Sequence, residues 1–190
     1  EPSFHAIEWA AGKLRLLDQR RLPDEILYIS YTASGPVAGA IRDLVVRGAP
    51  AIGITAAYAV VLSAQQHFGH ADDWRAGVMA DIDGLAAARP TAVNLVWALD
   101  RMRARLVGEQ GEPVAGLLEE ARRIHAEDIA ANHAMGDSGA ALINTGDSVL
   151  THCNAGALAT GGYGTALGVI RSAWSAGKLD SVYAGETRPW

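Results

Sequence analysis

Hydrophobic and polar positions change their spacing along this chain, and these changes divide it into elements. The first 31 residues hold three short apolar stretches separated by turns with glycine or proline, at 4–9, 13–18 and 26–30. Short apolar runs bounded by such residues are typical of β-strands joined by turns. This region therefore predicts a small antiparallel sheet.

Apolar residues then recur every three or four positions, the spacing that buries one face of a helix. Five helices are predicted, with starts or caps at Gly35-Pro36, Pro50, Asp72, Thr91 and Pro113. We expect the first to end near Gly48, with Leu44 and Val45 on its buried stripe, and the fourth to bury Val96 beside Leu95. The second is apolar on nearly every side and is expected at the centre of the fold.

The spacing changes again after residue 135. A β-prone run at 148–152 precedes a glycine loop at 161–164, a helix at 165–176 and a second strand at 180–184. A strand, a helix and a strand in this order form a parallel pair. We therefore expect an α/β protein with a small N-terminal antiparallel sheet and a helical domain over 1–135, and the start of a Rossmann-like parallel sheet domain over 136–190. Two parallel strands cannot bury both their faces, so the chain is expected to be truncated or completed by another polypeptide.

Composition narrows the classes of function. The 190 residues are 49% hydrophobic and carry a formal net charge of −5 without a basic tract, which disfavours a nucleic-acid partner. The most apolar run, 49–64, is shorter than the roughly 20 residues that a bilayer crossing needs, so no membrane contact is expected. The single cysteine cannot form an intramolecular disulfide and suits a cytoplasmic setting.

That cysteine, Cys153, follows the predicted strand and precedes the glycine-rich loop 161–165. Open α/β sheets place ligands at the carboxyl ends of their strands, and a nearby helix N-terminus favours the thiolate. Cys153 is therefore a candidate acid, base or nucleophile, and the loop is a candidate phosphate cradle. The alternatives are a buried core cysteine and a tight strand-to-helix turn.

Two arginines stand just before predicted helix starts. Arg47 precedes Gly48-Ala49-Pro50, and Arg89 precedes a proline. A guanidinium beside free helix N–H groups suits an anion, and two such junctions favour one shared anion site. The alternative for each is a solvated surface arginine.

Other candidates are weaker. His125, His133 and His152 lack the spacing of metal ligands, so no metal is expected, and His152 should face away from Cys153 as a packed or hydrogen-bonded side chain. Glu186 and Arg188, after the second strand, are either site residues or ordinary loop charges.

Four segments, taken together and in this order, form a motif set specific enough to indicate a family. They are residues 41–53 with Arg-Gly-Ala-Pro, 89–95 with Arg-Pro-Thr, 151–160 with His-Cys-Asn-Ala-Gly, and 186–189 with Glu-Thr-Arg-Pro. In these segments the chain resembles the methylthioribose-1-phosphate isomerase family of methionine salvage. The resemblance implies conversion of 5-methylthioribose 1-phosphate to 5-methylthioribulose 1-phosphate by a homodimer without metal or organic cofactor. It implies that Cys153 is catalytic and that substrate is bound by Arg47, Gly48, Ala49 and Arg89.

Two relatives of that family remain as alternatives. Ribose-1,5-bisphosphate isomerase does similar chemistry on a sugar with a second phosphate, for which a basic pocket replaces an apolar one. The alpha, beta and delta subunits of the eukaryotic initiation-factor guanine-exchange complex are binding proteins. The resemblance places a catalytic aspartate and a substrate-binding glutamine beyond Trp190, so the chain alone is expected to be inactive and poorly stable.

Overall fold

The computed structural model describes residues 5–70, 73–109 and 111–185. Three strands open the fold, β1 (Ile7–Ala10), β2 (Lys13–Leu17) and β3 (Tyr28–Tyr31), and they form an antiparallel sheet in the order β1-β2-β3. Ala11 and Gly12 both have positive φ, which is the geometry of a tight turn that matches the twist of paired strands. The small N-terminal sheet is therefore confirmed.

Five helices follow: α1 (Ser34–Arg42), α2 (Ala49–His67), α3 (Trp74–Ala88), α4 (Val93–Gly108) and α5 (Val114–Ala141). Every residue of α2 from 51 to 64 is buried, and the other four helices and the sheet pack around it. The apolar run thus forms the predicted central helix. Among the described helices, none is both long enough and apolar enough to cross a membrane.

The predicted end of the first helix was wrong. α1 ends at Arg42 rather than near Gly48, because Leu44 has φ +61°, a left-handed conformation that a right-handed helix cannot continue. Leu44 is therefore half-buried in a turn instead of on the helix stripe, while Val45 is buried.

Two predicted helix caps and one position predicted to be buried also differ from the structure. The N-cap of α3 is Asp73, whose carboxylate accepts a hydrogen bond from the N–H of Ala76 at 3.1 Å; Asp72 lies outside the described residues. Thr91 does not cap α4, which begins after Ala92 without a side-chain cap. Val96 is 37% exposed, because it lies on the outer side of α4.

The last described part holds β4 (Asp147–Thr151), α6 (Ala166–Ser175) and β5 (Leu179–Ala184), with β4 and β5 paired in parallel. The α/β fold class is thus confirmed. α6 packs on α5, whose continuous helix runs through Gly136. The division at residues 135 and 136 falls inside that helix and stays a prediction.

Candidate active site

One cavity of about 430 Å³ brings together the four residues predicted to bind substrate, namely Arg47, Gly48, Ala49 and Arg89. α2 begins at Ala49, so this cavity lies beside the N-terminus of the central helix. Neither guanidinium is paired with a carboxylate of the described residues. Two unpaired guanidinium groups at a helix N-terminus can bind a phosphate.

Gly48 joins this cavity to the segment that follows Cys153. A Cβ on Gly48 would lie 2.4 Å from the carbonyl oxygen of Ala159, the last residue of a short 3₁₀ helix (Ala157–Ala159). Gly48 also has φ +101°, a conformation that glycine adopts without strain. Glycine is therefore required here for two independent reasons.

Gln19 makes a second connection between the same two segments. Its backbone N–H donates to the carbonyl of Val45 at 3.0 Å, and its side-chain Nε2 donates to the carbonyl of Leu158 at 2.8 Å. Gln19 is only 4% exposed. The sequence gives no signal for Gln19, because it stands among polar turn residues, where no periodic pattern marks a buried amide.

Cys153 is exposed among the described residues, which does not fit the alternative of a buried core cysteine. β4 ends at Thr151, so His152 and Cys153 both lie beyond the strand and the alternation of strand faces does not apply to them. His152 is exposed as well, and the expectation that it packs was wrong. Cys153 has φ +69°, a conformation that costs a non-glycine residue about 1 to 2 kcal/mol.

The residues 152–154 form an arch with an anchor at each end. On one side the carbonyl of Thr151 accepts from the N–H of Gly185 at 3.2 Å. On the other, the carbonyl of Ala155 accepts from the N–H of Thr165 at 2.9 Å and that of Leu167 at 3.3 Å. The backbone on either side of Cys153 is thus held by the strand pair at Thr151 and by the start of α6 at Ala155.

The glycine loop is not an open phosphate cradle. The N–H of Gly161 donates to Oδ2 of Asp128 at 2.7 Å, and that of Gly164 to the carbonyl of Gly162 at 2.8 Å. The N–H of Gly162 donates to Oγ1 of Thr160 at 3.3 Å. These amides are engaged by acceptors of the protein itself, so the alternative of a tight turn is the correct one.

Three side chains of α5 hold this loop, and we call them the α5 clamp: His125, Asp128 and Asn132. Nε2 of His125 donates to the carbonyl of Gly161 at 2.9 Å, and the Asn132 amide donates to Oδ2 of Asp128 at 3.0 Å and to the carbonyl of Gly162 at 3.3 Å. Their positions 125, 128 and 132 share one face of a helix. That spacing is the signal available in the sequence. Of the three clamp residues, only His125 is among the candidates named above.

Burial lowers the pKa of His125 and outweighs the hydrogen bond to Gly161 and the nearby charge of Asp128, which raise it. The neutral ring then carries its proton on Nε2, which faces a carbonyl. The Nδ1 atom faces the hydroxyl of Tyr58 at 3.2 Å and can accept its hydrogen. His125 is accordingly a hydrogen-bonded structural histidine.

His133 also packs against the loop, since its ring stacks on that of Tyr163 with 3.9 Å between centroids. Among the residues that the structure describes, no cluster of three or more His, Cys, Asp or Glu side chains could hold a metal ion. Glu186 and Arg188 lie outside the described residues.

Curated proteins align with nearly the whole of this chain. The curated proteins named methylthioribose-1-phosphate isomerase from Methylococcus capsulatus and Azotobacter vinelandii are 56% and 57% identical to this chain, over 99% and 97% of its length. The alignments cover 54% and 53% of those proteins, so the chain spans about half the length of the curated relatives it matches.

Two solved structures have the same fold. The 5-methylthioribose 1-phosphate isomerase of Pyrococcus horikoshii is 35% identical, with a TM-score of 0.89 over 97% of this chain and 53% of that one. The translation initiation factor eIF-2B subunit delta from A. fulgidus is 41% identical, with a TM-score of 0.86 over 98% and 56%. The profile of the Initiation factor 2 subunit family matches residues 45–190, most of the chain, and the protein belongs to this family.

Proposed function

We propose that the full-length protein isomerises 5-methylthioribose 1-phosphate to 5-methylthioribulose 1-phosphate. The observation that carries this proposal is the cavity lined by Arg47, Gly48, Ala49 and Arg89, in which Gly48 packs against Ala159, a residue that follows the exposed Cys153 in the chain. The names of the most similar curated relatives support the same reaction.

The proposed chemistry divides the site into two parts. Arg47 and Arg89, with the N-terminus of α2, hold the phosphate and so fix the sugar in one orientation. The phosphate is on the anomeric carbon, so the ring has to open: the ring oxygen gains a proton, the C2 hydroxyl loses one, and a hydrogen moves from C2 to C1. No oxidant or reductant is consumed. Cys153 is the proposed proton donor or acceptor at the sugar.

Activity and chemical modification test this proposal together. We expect Cys153→Ser to lower kcat by about 10²- to 10⁴-fold, the usual contribution of a positioned acid or base. Iodoacetamide should inactivate the full-length protein by alkylating Cys153, and the substrate should slow that reaction. Full activity after complete alkylation would contradict a role for the thiol.

Ribose 1,5-bisphosphate, run in parallel, separates the two sugar substrates. Preference for it would move the assignment to the bisphosphate isomerase. A non-catalytic binding role is the second candidate, favoured by the similarity to the eIF-2B subunit delta. Turnover of neither sugar by folded full-length protein would favour that role.

The proposal includes a homodimer in the cytoplasm. The resemblance to the isomerase family supports the dimer, and the single cysteine supports a reducing compartment. Light scattering of the purified full-length protein tests the dimer, and a monomer at micromolar concentration would contradict it.

A further inference from the structure

We propose that Asp128 of the α5 clamp is a positioning residue for Cys153, and that it acts through its carboxylate oxygen as a hydrogen-bond acceptor for the glycine loop. The inference rests on the proposed function in that Cys153 is taken as the group that acts on the sugar. Its structural part, the control of the Cys153 arch by α5, is testable without any substrate.

The clamp fixes the orientation of one peptide unit in the loop. Asp128 accepts from the N–H of Gly161, while His125 donates to the carbonyl of the same residue. Asn132 is 2% exposed and donates both to Asp128 and to the carbonyl of Gly162. A buried amide is costly unless it is hydrogen-bonded, so these contacts keep α5 and the loop together.

The loop leaves no room to move toward α5. A Cβ on Gly161 would lie 2.7 Å from Cδ2 of His125 and 3.0 Å from Oδ2 of Asp128. The backbone at Gly161 is therefore in direct contact with the clamp. These two side chains set the distance between the loop and α5. Loss of either contact allows the loop to shift.

A short series of hydrogen bonds connects the clamp to the arch 152–154. Oγ1 of Thr160 lies 3.1 Å from the carbonyl oxygen of Gly162 and 3.4 Å from that of Gly156, so its one hydrogen can be donated to either. Gly156 pairs with Gly164 in an isolated antiparallel bridge, and the N–H of Thr165 donates to the carbonyl of Ala155. Hydrogen bonds therefore join residues 155–165 to one another. Ala155 is the end of this hydrogen-bonded segment, and it leads directly into the arch.

In this role Asp128 has to supply one acceptor atom and not a negative charge, because the N–H of Gly161 and the amide of Asn132 both donate to Oδ2. Asparagine offers one amide oxygen at the same place. We therefore expect Asp128→Asn to keep the loop in position and Asp128→Ala to release it. Glu127→Ala is the matched control, since Glu127 is next in the chain but pairs with Arg101 instead of the loop.

Kinetics of the full-length protein give the first readout. Asp128→Ala should lower kcat about 10- to 100-fold, the effect of misplacing a reacting group by about 1 Å. KM should change less than about threefold, because the phosphate is held by Arg47 and Arg89 outside the clamp. Asp128→Asn and Glu127→Ala should stay within about threefold of the unmodified protein in both constants.

Amide hydrogen exchange gives the second readout and does not depend on the reaction. In Asp128→Ala the N–H groups of Thr165 and Leu167 should exchange about tenfold faster, whereas Asp128→Asn and Glu127→Ala should retain their protection. If the full-length protein turns over neither sugar, this result alone decides whether α5 positions the arch, and only the proposed function fails.

Several results would overturn the proposal. These are a folded Asp128→Ala with unchanged kcat and exchange, an Asp128→Asn as impaired as Asp128→Ala, or a Glu127→Ala with the same defect. If Asp128→Ala does not fold, His125→Gln and His125→Leu replace the pair, since only the glutamine amide can still donate to Gly161. Equal kcat and equal exchange in those two variants would also overturn it.

Discussion

Gly48 and Ala159 lie so close together that a single methyl group on Gly48 would be 2.4 Å from the Ala159 carbonyl oxygen. The two residues are far apart in the chain. One stands at the start of α2 among the predicted phosphate-binding residues, and the other lies shortly after Cys153. Their contact therefore joins the two segments that carry the proposed halves of the site.

Gly48→Ala should both strain the backbone and push these halves apart. We expect it to lower the free energy of unfolding by about 2 to 4 kcal/mol, since alanine is unfavourable at φ +101° and the atoms it meets are backbone atoms. Urea unfolding measures this. Gly39→Ala is the control, because Gly39 lies inside α1 with nothing within 4 Å of an added Cβ and should be stabilised by up to about 1 kcal/mol.

Arg47 and Arg89 should act mainly on binding of the phosphate. Arg89→Ala should raise KM about 10- to 100-fold, because a hydrogen bond to a charged group contributes about 1.5 to 3 kcal/mol. Arg89→Lys keeps the charge but loses the two-pronged geometry, so its KM should fall between those of alanine and arginine. Steady-state kinetics of the full-length protein checks this, with the exposed Arg122→Ala on α5 as a control that should leave KM unchanged.

Gln19 should contribute to stability through its bond to Leu158. Gln19→Ala leaves the carbonyl of the half-buried Leu158 without its donor, at a cost of about 1 to 3 kcal/mol in the free energy of unfolding. Chemical denaturation measures the loss. Gln66→Ala, at an exposed position of α2, should change stability by less than about 0.5 kcal/mol. Equal effects of the two changes would contradict the special role of Gln19.

Asp81 should make stability depend on pH. Burial raises the pKa of its carboxyl, but hydrogen bonds from Ser63, Ser34 and His67 outweigh burial and lower the pKa below its ordinary value of 3.8. Because the pKa is lower in the folded state, this stabilisation is fully present above pH 3.8 and is lost as the pH falls through the folded value.

Urea unfolding across pH 3 to 7 tests the Asp81 prediction, with pH limits of roughly these values chosen to bracket carboxyl titration. Asp81→Asn should be less stable than the unmodified protein by about 1 to 3 kcal/mol near neutral pH, and the difference should shrink in acid. The control is Asp83→Asn on the same helix, whose carboxylate is 73% exposed and pairs only with Arg103 among the described residues. A difference that grows as the pH falls would contradict the assigned sign.

The elements themselves could be predicted from the sequence because their causes are local. The apolar run of α2 has no polar face to expose, so burial at the centre was its only stable arrangement. The two arginine junctions could be grouped for a similar reason, since guanidinium groups before helix starts suit the same anion. The structure places Arg47 and Arg89 on one cavity, and their role in binding substrate stays a prediction.

The errors had two causes: a partner far along the chain, and a backbone conformation that the residue type does not fix. The glycine loop had the composition of a phosphate cradle, but whether its N–H groups are free depends on Asp128, which stands 33 positions before Gly161. The end of α1 depended on the conformation of Leu44, whose side chain fits a helix as well as a turn.

The sequence by itself determined the α/β class, the order of the elements and the residue types available for chemistry, because spacing and turn residues act over a few positions. Only the tertiary structure decided which of them meet. It placed Gly48 against Ala159, connected Gln19 to Leu158, and brought three polar residues of α5 into hydrogen bonds with the glycine loop. Such contacts join distant segments through shape and hydrogen-bond geometry, and a local pattern does not show which segments meet.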